Sequence, residues 1–190
     1  QSGSANEVAI YPNLNYFDPG WRELFRDVRF RRALSMGISR KAINKVLYYG
    51  LAKPRAVAAL EESPFFNEAD ATAWTRFDLA EANRLLDEIG LSERNPAGIR
   101  RLKDGRLMEV IVETAGERSE VEDTLELIGA TWAELGIRLL VKPQDRDVLR
   151  NRAYAGQTMM VAWYGWNIGI PTAATAPTDL APGDQATFPW

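Results

Sequence analysis

In MMVAWYGWNIGIP (Met159 to Pro171), Trp163, Tyr164 and Trp166 fall within four positions, with Asn167 directly after them. Large aromatic faces beside an amide are equipped for non-covalent recognition. They supply contact area and a few oriented hydrogen bonds, but no nucleophile and no base. A second group, Tyr11, Asn13, Asn15 and Tyr16 in YPNLNYFD, mixes phenols and amides in the same way. Bland readings stand beside these. Trp163 and Tyr164 can pack beneath a helix, and Asn side chains can tie down neighbouring loops.

Catalytic chemistry has little to draw on. The chain contains neither His nor Cys, which removes thiol nucleophiles, Ser–His dyads and the usual zinc ligand sets. Carboxylates cluster at Glu61-Glu62, at Glu120 with Glu122-Asp123, and at Asp145 with Asp147. On a helix, residues one or two apart point in different directions, so these read as solvated surface. No GxGxxG or Walker pattern marks a nucleotide site, and no D-x-D-x-D-G loop marks a calcium site. The expectation is a protein that is not an enzyme, with no cofactor and no metal; a hydrolase or transferase is the weakest alternative.

With 23 Lys and Arg against 26 Asp and Glu, the net charge is −3, which argues against nucleic acid as a partner. The densest basic run, WRELFRDVRFRR (Trp21 to Arg32), is interrupted by Glu23 and Asp27 and reads as a charged helix face. A docking role for Arg22, Arg26, Arg29 and Arg32 is the competing interpretation. No apolar run reaches the ~18 residues of a membrane span. QSGSANEVAI lacks the basic and apolar regions of a signal peptide, so the expectation is a mature start or an excised segment.

The elements that must position the aromatics follow from periodicity. Glu7 to Tyr16 is β-like, with Pro12 marking an edge or a break. Asp18-Pro19 opens a helix, Asp27 to Ile38 forms another, and Ser39 caps a third that Gly50 stops. Lys53 to Ala73 reads as irregular. In FDLAEANRLLDEIGL, Asp78 and Glu81 have the capping-box spacing. Ser92 to Gly105 reads as a polar loop. Leu107 to Glu113 is then a strand, Glu117 to Leu135 a helix, and Ile137 to Lys142 a strand. Asp145 to Ala155 is a helix and Thr158 to Gly165 a strand. Two β-α-β steps imply an α/β layer with a mainly parallel sheet flanked by helices. Ligands on such sheets lie beyond the carboxyl ends of the strands, where this ordering puts Trp166 and Asn167.

Several segments together resemble the extracytoplasmic solute-binding proteins of peptide- and nickel-type ABC importers. In LFRDVRFRRALSMGISRKAINKVLYYGLAKP, the residues Asp27, Arg31, Ala33, Leu34, Ile38, Arg40 and Gly50 match the family's pattern, while Ser39 replaces an Asp. Asp78, Ala82, Leu85, Leu86 and Gly90 match its Asp-x-x-x-Ala-x-x-Leu-Leu-x-x-x-Gly helix. DGRL (Asp104 to Leu107) and ELGIRLLV (Glu134 to Val141) continue the likeness, and YGWNIGIP stands where the family has a Gly-Trp-x-x-Asp-Tyr-x-x-Pro-like segment. The resemblance implies one lobe of a type II periplasmic-binding-protein-like fold. Residues 1–171 would be the second, C-terminal-half lobe, and residues 172–190 an irregular tail leading to the rest of the protein. It further implies a periplasmic or extracytoplasmic location and capture of a peptide or other small solute between two lobes. The partners it implies are the first lobe and an ABC permease; a sensory or docking module without transport is the alternative. By the same resemblance, Tyr11, Asn13, Asn15, Trp163, Tyr164, Trp166, Asn167 and Gly169 fall at the ligand cleft. Peptide binders place an Asp for the ligand's α-amino group where this chain has Gly169, and glycine offers no charge there.

Overall fold

Pro12 has no amide proton to give a ladder, so a strand ending on it belongs at a sheet edge. In the computed structural model, which describes residues 6–165, β1 (Ala9–Pro12) is that edge strand. It runs antiparallel to β4 (Met160–Trp163), with Ala9 opposite Trp163 and Pro12 opposite Met160. β4 lies parallel to β2 (Glu109–Thr114), and β2 lies parallel to β3 (Arg138–Pro143). The order β1-β4-β2-β3 is the expected mainly parallel sheet in an α/β fold. The expected tail, 172–190, lies outside the described residues.

Capping side chains set the helix starts. Asp18 accepts from the Trp21 amide at 3.0 Å to open α1 (Pro19–Arg26), and Asp27 accepts from the Arg29 amide at 2.8 Å to open α2 (Val28–Met36). Two expectations need correction at α3 (Arg40–Leu47). Ser39 makes no side-chain capping bond, and the helix ends before Gly50, which lies beyond Tyr49 with its positive φ of 54°. The stretch expected to be irregular contains a short helix, α4 (Glu68–Thr72), capped by Asn67. Asp78 caps α5 (Leu79–Glu88), but Glu81 turns to Arg84 instead of back to the cap, so the capping box is half formed.

The chain then alternates β2, α6 (Ser119–Glu134), β3, α7 (Arg146–Tyr154) and β4. α6 carries the chain from β2 to one side and α7 returns it past β2 to the other, a reversal that puts the two helices on opposite faces. On one face Val110, Val112 and Met160 join Leu125, Ile128 and Trp132 of α6 in the main core. On the other, Glu113 is buried and takes a two-pronged ion pair from Arg152 of α7. Trp132 also donates its indole N–H to the Leu34 carbonyl at 3.1 Å, which locks α2 to α6.

The segment expected to be a polar loop, Ser92 to Gly105, delivers Arg100 to the interior, where it is 1% exposed. Its guanidinium donates to the carbonyls of Leu135 and Leu91 and to the side chains of Asn83 and Asp87. Gly136 makes room for it: at φ +77°, an added Cβ would stand 2.8 Å from Arg100 Cγ.

Candidate functional site

The reversal of chain direction leaves a crevice between the carboxyl ends of β2 and β4, the place where open α/β sheets hold ligands. A shallow shelf occupies it, lined by Thr114, Arg118, Arg146, Trp163 and Tyr164 among others. It encloses about 30 Å³, about the share of a single water, so it is one open wall and not a closed pocket.

Strand alternation aims its aromatics. Trp163 follows Val161 on the α7 side of the sheet, and Tyr164 turns to the α6 side. The two rings meet edge to face, 5.9 Å apart at 84°. A guanidinium from each helix start stacks on the matching ring: Arg146 lies 5.1 Å from the Trp163 centroid and Arg118 lies 5.0 Å from the Tyr164 centroid. Each arginine is held from behind by a carboxylate. Glu7 pairs with Arg118 at 3.0 Å, and both oxygens of Glu117 take hydrogen bonds from Arg146. The Glu117 carboxyl is held below its ordinary range chiefly by those Arg146 bonds.

One polar group in the lining is not satisfied. Thr114 is 1% exposed, and its hydroxyl has no hydrogen-bond partner. Arg118 is the N-cap of α6 yet makes no side-chain capping bond. Gly116 shapes the turn at φ +66°, 3.3 Å from the Gln144 carbonyl as measured from an added Cβ.

The sequence-predicted residues separate into three groups. Trp163, Tyr164 and Tyr11 come together, the Tyr11 hydroxyl donating to the Tyr164 carbonyl at 2.8 Å. Asn13 and Asn15 lie at the other end of the sheet, because β1 is antiparallel and its last residues pass the amino end of β4. Asn13 is wholly buried, and its amide donates to the carbonyls of Gly156 and Thr158 while its oxygen accepts from the Asn15 amide. Asn15 accepts from Arg26. These two Asn side chains tie loops together, the bland reading of the pair. Trp166, Asn167 and Gly169 lie outside the described residues. The competing docking face is engaged within the chain: Arg22 and Arg26 donate to carbonyls before α1, Arg29 pairs with Asp27 and Glu88, and Arg32 stacks on Trp74. Among the described residues no group of three or more His, Cys, Asp and Glu side chains could hold a metal ion.

Sequence reasoning missed Thr114, Arg118 and Arg146. A signal was present. Two helices that follow parallel strands each carry an arginine at the start, the N-cap of α6 and the first residue of α7, against the positive end of the helix dipole. Such local rule-breaking concentrates at functional sites.

Paired aromatic faces with guanidinium groups beside them suit non-covalent binding. Residues 2–187 match the family described as bacterial extracellular solute-binding proteins, family 5 Middle. The chain belongs to that family. The structure of an oligopeptide-binding protein OppA superposes with a TM-score of 0.89 at 29% identity, over 97% of this chain and 28% of that one. The periplasmic binding protein MelB of Agrobacterium fabrum C58, solved with stachyose, gives a TM-score of 0.72 at 21% identity, over 85% and 26%. The periplasmic alpha-galactoside-binding protein of Rhizobium meliloti (strain 1021) is 24% identical over 86% of this chain and 25% of its own length. These family 5 relatives are binding proteins and not enzymes. The chain spans about a quarter of their length. None of its described helices is long and apolar enough to cross a membrane.

Proposed function

We propose that this chain is one ligand-binding lobe of a periplasmic solute-binding protein that serves an ABC importer. Its shelf at the carboxyl ends of β2 and β4 forms one wall of a cleft that the first lobe closes over the solute. The observation that carries this is the pair of arginine-backed aromatics, Trp163 with Arg146 and Tyr164 with Arg118, at the topological switch point. Flat aromatic surface beside guanidinium groups suits a solute rich in hydroxyls or amide carbonyls. Both an oligosaccharide and a peptide chain meet that description, and the named relatives include binders of each. With Gly169 where peptide binders carry an Asp, a free peptide amino terminus has no carboxylate there to pair with.

Closure is a hinge motion in which bound solute stabilises the shut state, and the shut protein is what a permease would receive. A single lobe cannot close. Calorimetric titration of the full-length protein with stachyose and with a pentapeptide is expected to give binding that the 190-residue chain alone lacks. Equal affinity in the isolated chain would reject the two-lobe account.

A further inference from the structure

α7 carries Arg146 to the shelf, yet apolar packing holds this helix only lightly. Of its nine residues Leu149 and Ala153 alone are buried, and Val148 and Tyr154 stand about half exposed. α6, by comparison, buries Thr124, Leu125, Ile128 and Trp132. Apolar contact is non-directional, so two buried side chains do not by themselves fix the height and roll of a helix.

Glu113 supplies the missing constraint. It stands opposite Val161 of β4, and Trp163 follows two residues later on the same face of the sheet. Glu113 is 2% exposed. Its carboxylate takes hydrogen bonds from Arg152 Nε and Nη2, both at 2.9 Å, and a third from the Gln144 side-chain amide. Gln144 lies on the approach to α7, just before its cap Asp145, and Arg152 lies in its last turn. One buried group therefore grips the helix at both ends. The Gln144 backbone is held as well, its amide donating to the Thr114 carbonyl at 2.9 Å. A charge buried this deeply is costly, and an apolar side chain of similar size often fills such a place with no loss of stability. What the ion pair adds is direction, because a two-pronged guanidinium–carboxylate contact has a defined geometry that apolar packing lacks.

We propose that Glu113 is a positioning residue for solute binding. By holding Gln144 and Arg152 it sets the place of α7, and with it the stack of Arg146 on Trp163, while lying too deep to touch a solute itself. This rests on reading the shelf as one wall of the solute cleft.

Glu113→Gln in the full-length protein tests this, since it keeps the volume and discards the charge. With arginine labelled by carbon-13, the Arg146 δ-methylene signal is displaced by the Trp163 ring current, and its return in Trp163→Ala identifies it. In Glu113→Gln this signal is expected to move toward its place in Trp163→Ala, while that of the buried Arg100 stays where it was. Affinity for stachyose or for a pentapeptide, whichever the parent binds, is expected to fall about three- to fivefold. The same substitution is expected to cost nothing further in an Arg146→Gln background. Gln144→Ala, which leaves the ion pair intact, is expected to give the same changes in smaller degree, and it serves if Glu113→Gln does not fold. An unmoved Arg146 signal in these variants would overturn the proposal. So would unchanged affinity, or a loss just as large in the Arg146→Gln background, because Glu113 would then act on the fold at large. Trp163→Ala separates the two ways of failing. If it binds solute as tightly as the parent, the shelf reading itself is removed. If it binds weakly while Glu113→Gln binds normally, only the role of Glu113 is removed.

Discussion

The Arg146 guanidinium lies 5.1 Å from the centre of the Trp163 indole, and Glu117 grips that guanidinium from behind. Arg146 is the first residue of its helix and Trp163 the last of its strand, so the stack joins two elements end to end at the crevice. A cation placed there opposes the helix dipole, and Asp145 and Asp147 supply local compensation. The ring is only partly buried, so the stack holds an aromatic face ready for a ligand at little cost to the core.

This stack gives the first prediction. In the full-length protein, Trp163→Ala is expected to weaken solute binding by about tenfold or more, as loss of a central aromatic anchor does. Arg146→Gln, which keeps hydrogen bonding but not the cation, is expected to weaken it less. Calorimetry measures both. Unchanged affinity in the Trp163 variant would remove the shelf from the binding site.

Asn13 should behave in the opposite way. Its buried amide satisfies the carbonyls of Gly156 and Thr158, so Asn13→Ala leaves both without that donor. The expected cost is about 2–3 kcal/mol of stability with no change in solute affinity. Urea unfolding and calorimetry on the same variant check both halves, and a selective loss of affinity would return Asn13 to the site.

Much of the fold was legible because its signals are local. Asp18 and Asp78 announce their helices by capping, and the apolar repeat from Val121 to Leu135 announces α6. What stayed hidden depends on contacts far apart in sequence. Arg100 lies in a polar, glycine-bearing stretch, and nothing nearby indicates that Asn83, Asp87, Leu91 and Leu135 surround it. The site was legible to the same extent. Trp163 and Tyr164 stand out by composition, but Arg118 and Arg146 join them only through the crossovers. Asn13 and Asn15 looked equivalent to Tyr11 until the antiparallel register carried them to the far end of the sheet.

Arg100 supports a stability prediction. Arg100→Met retains apolar volume but leaves the buried carbonyls of Leu91 and Leu135 without that donor. The expected loss is about 2–4 kcal/mol, seen as a lower urea midpoint with an unchanged slope. A variant as stable as the parent would mean that water replaces the guanidinium, and that the loop from Ser92 to Gly105 docks without it.

Asp18 predicts a pH dependence. Its carboxyl is held down at about 2, first by the hydrogen bond from Arg106 and then by the Trp21 amide, against an ordinary value of 3.8. The folded state therefore favours the ionised form. This contribution is complete above the unfolded value and disappears as the pH falls toward 2. Asp18→Asn keeps an N-cap acceptor for Trp21 but discards the charge that pairs with Arg106. The gap in urea midpoint between parent and variant is thus expected to be widest above pH 4.5 and to close progressively between pH 4 and pH 2, as measured at fixed salt. A gap that stays constant across that window would show that Asp18 acts only as a helix cap, with its link to Arg106 contributing nothing to folding.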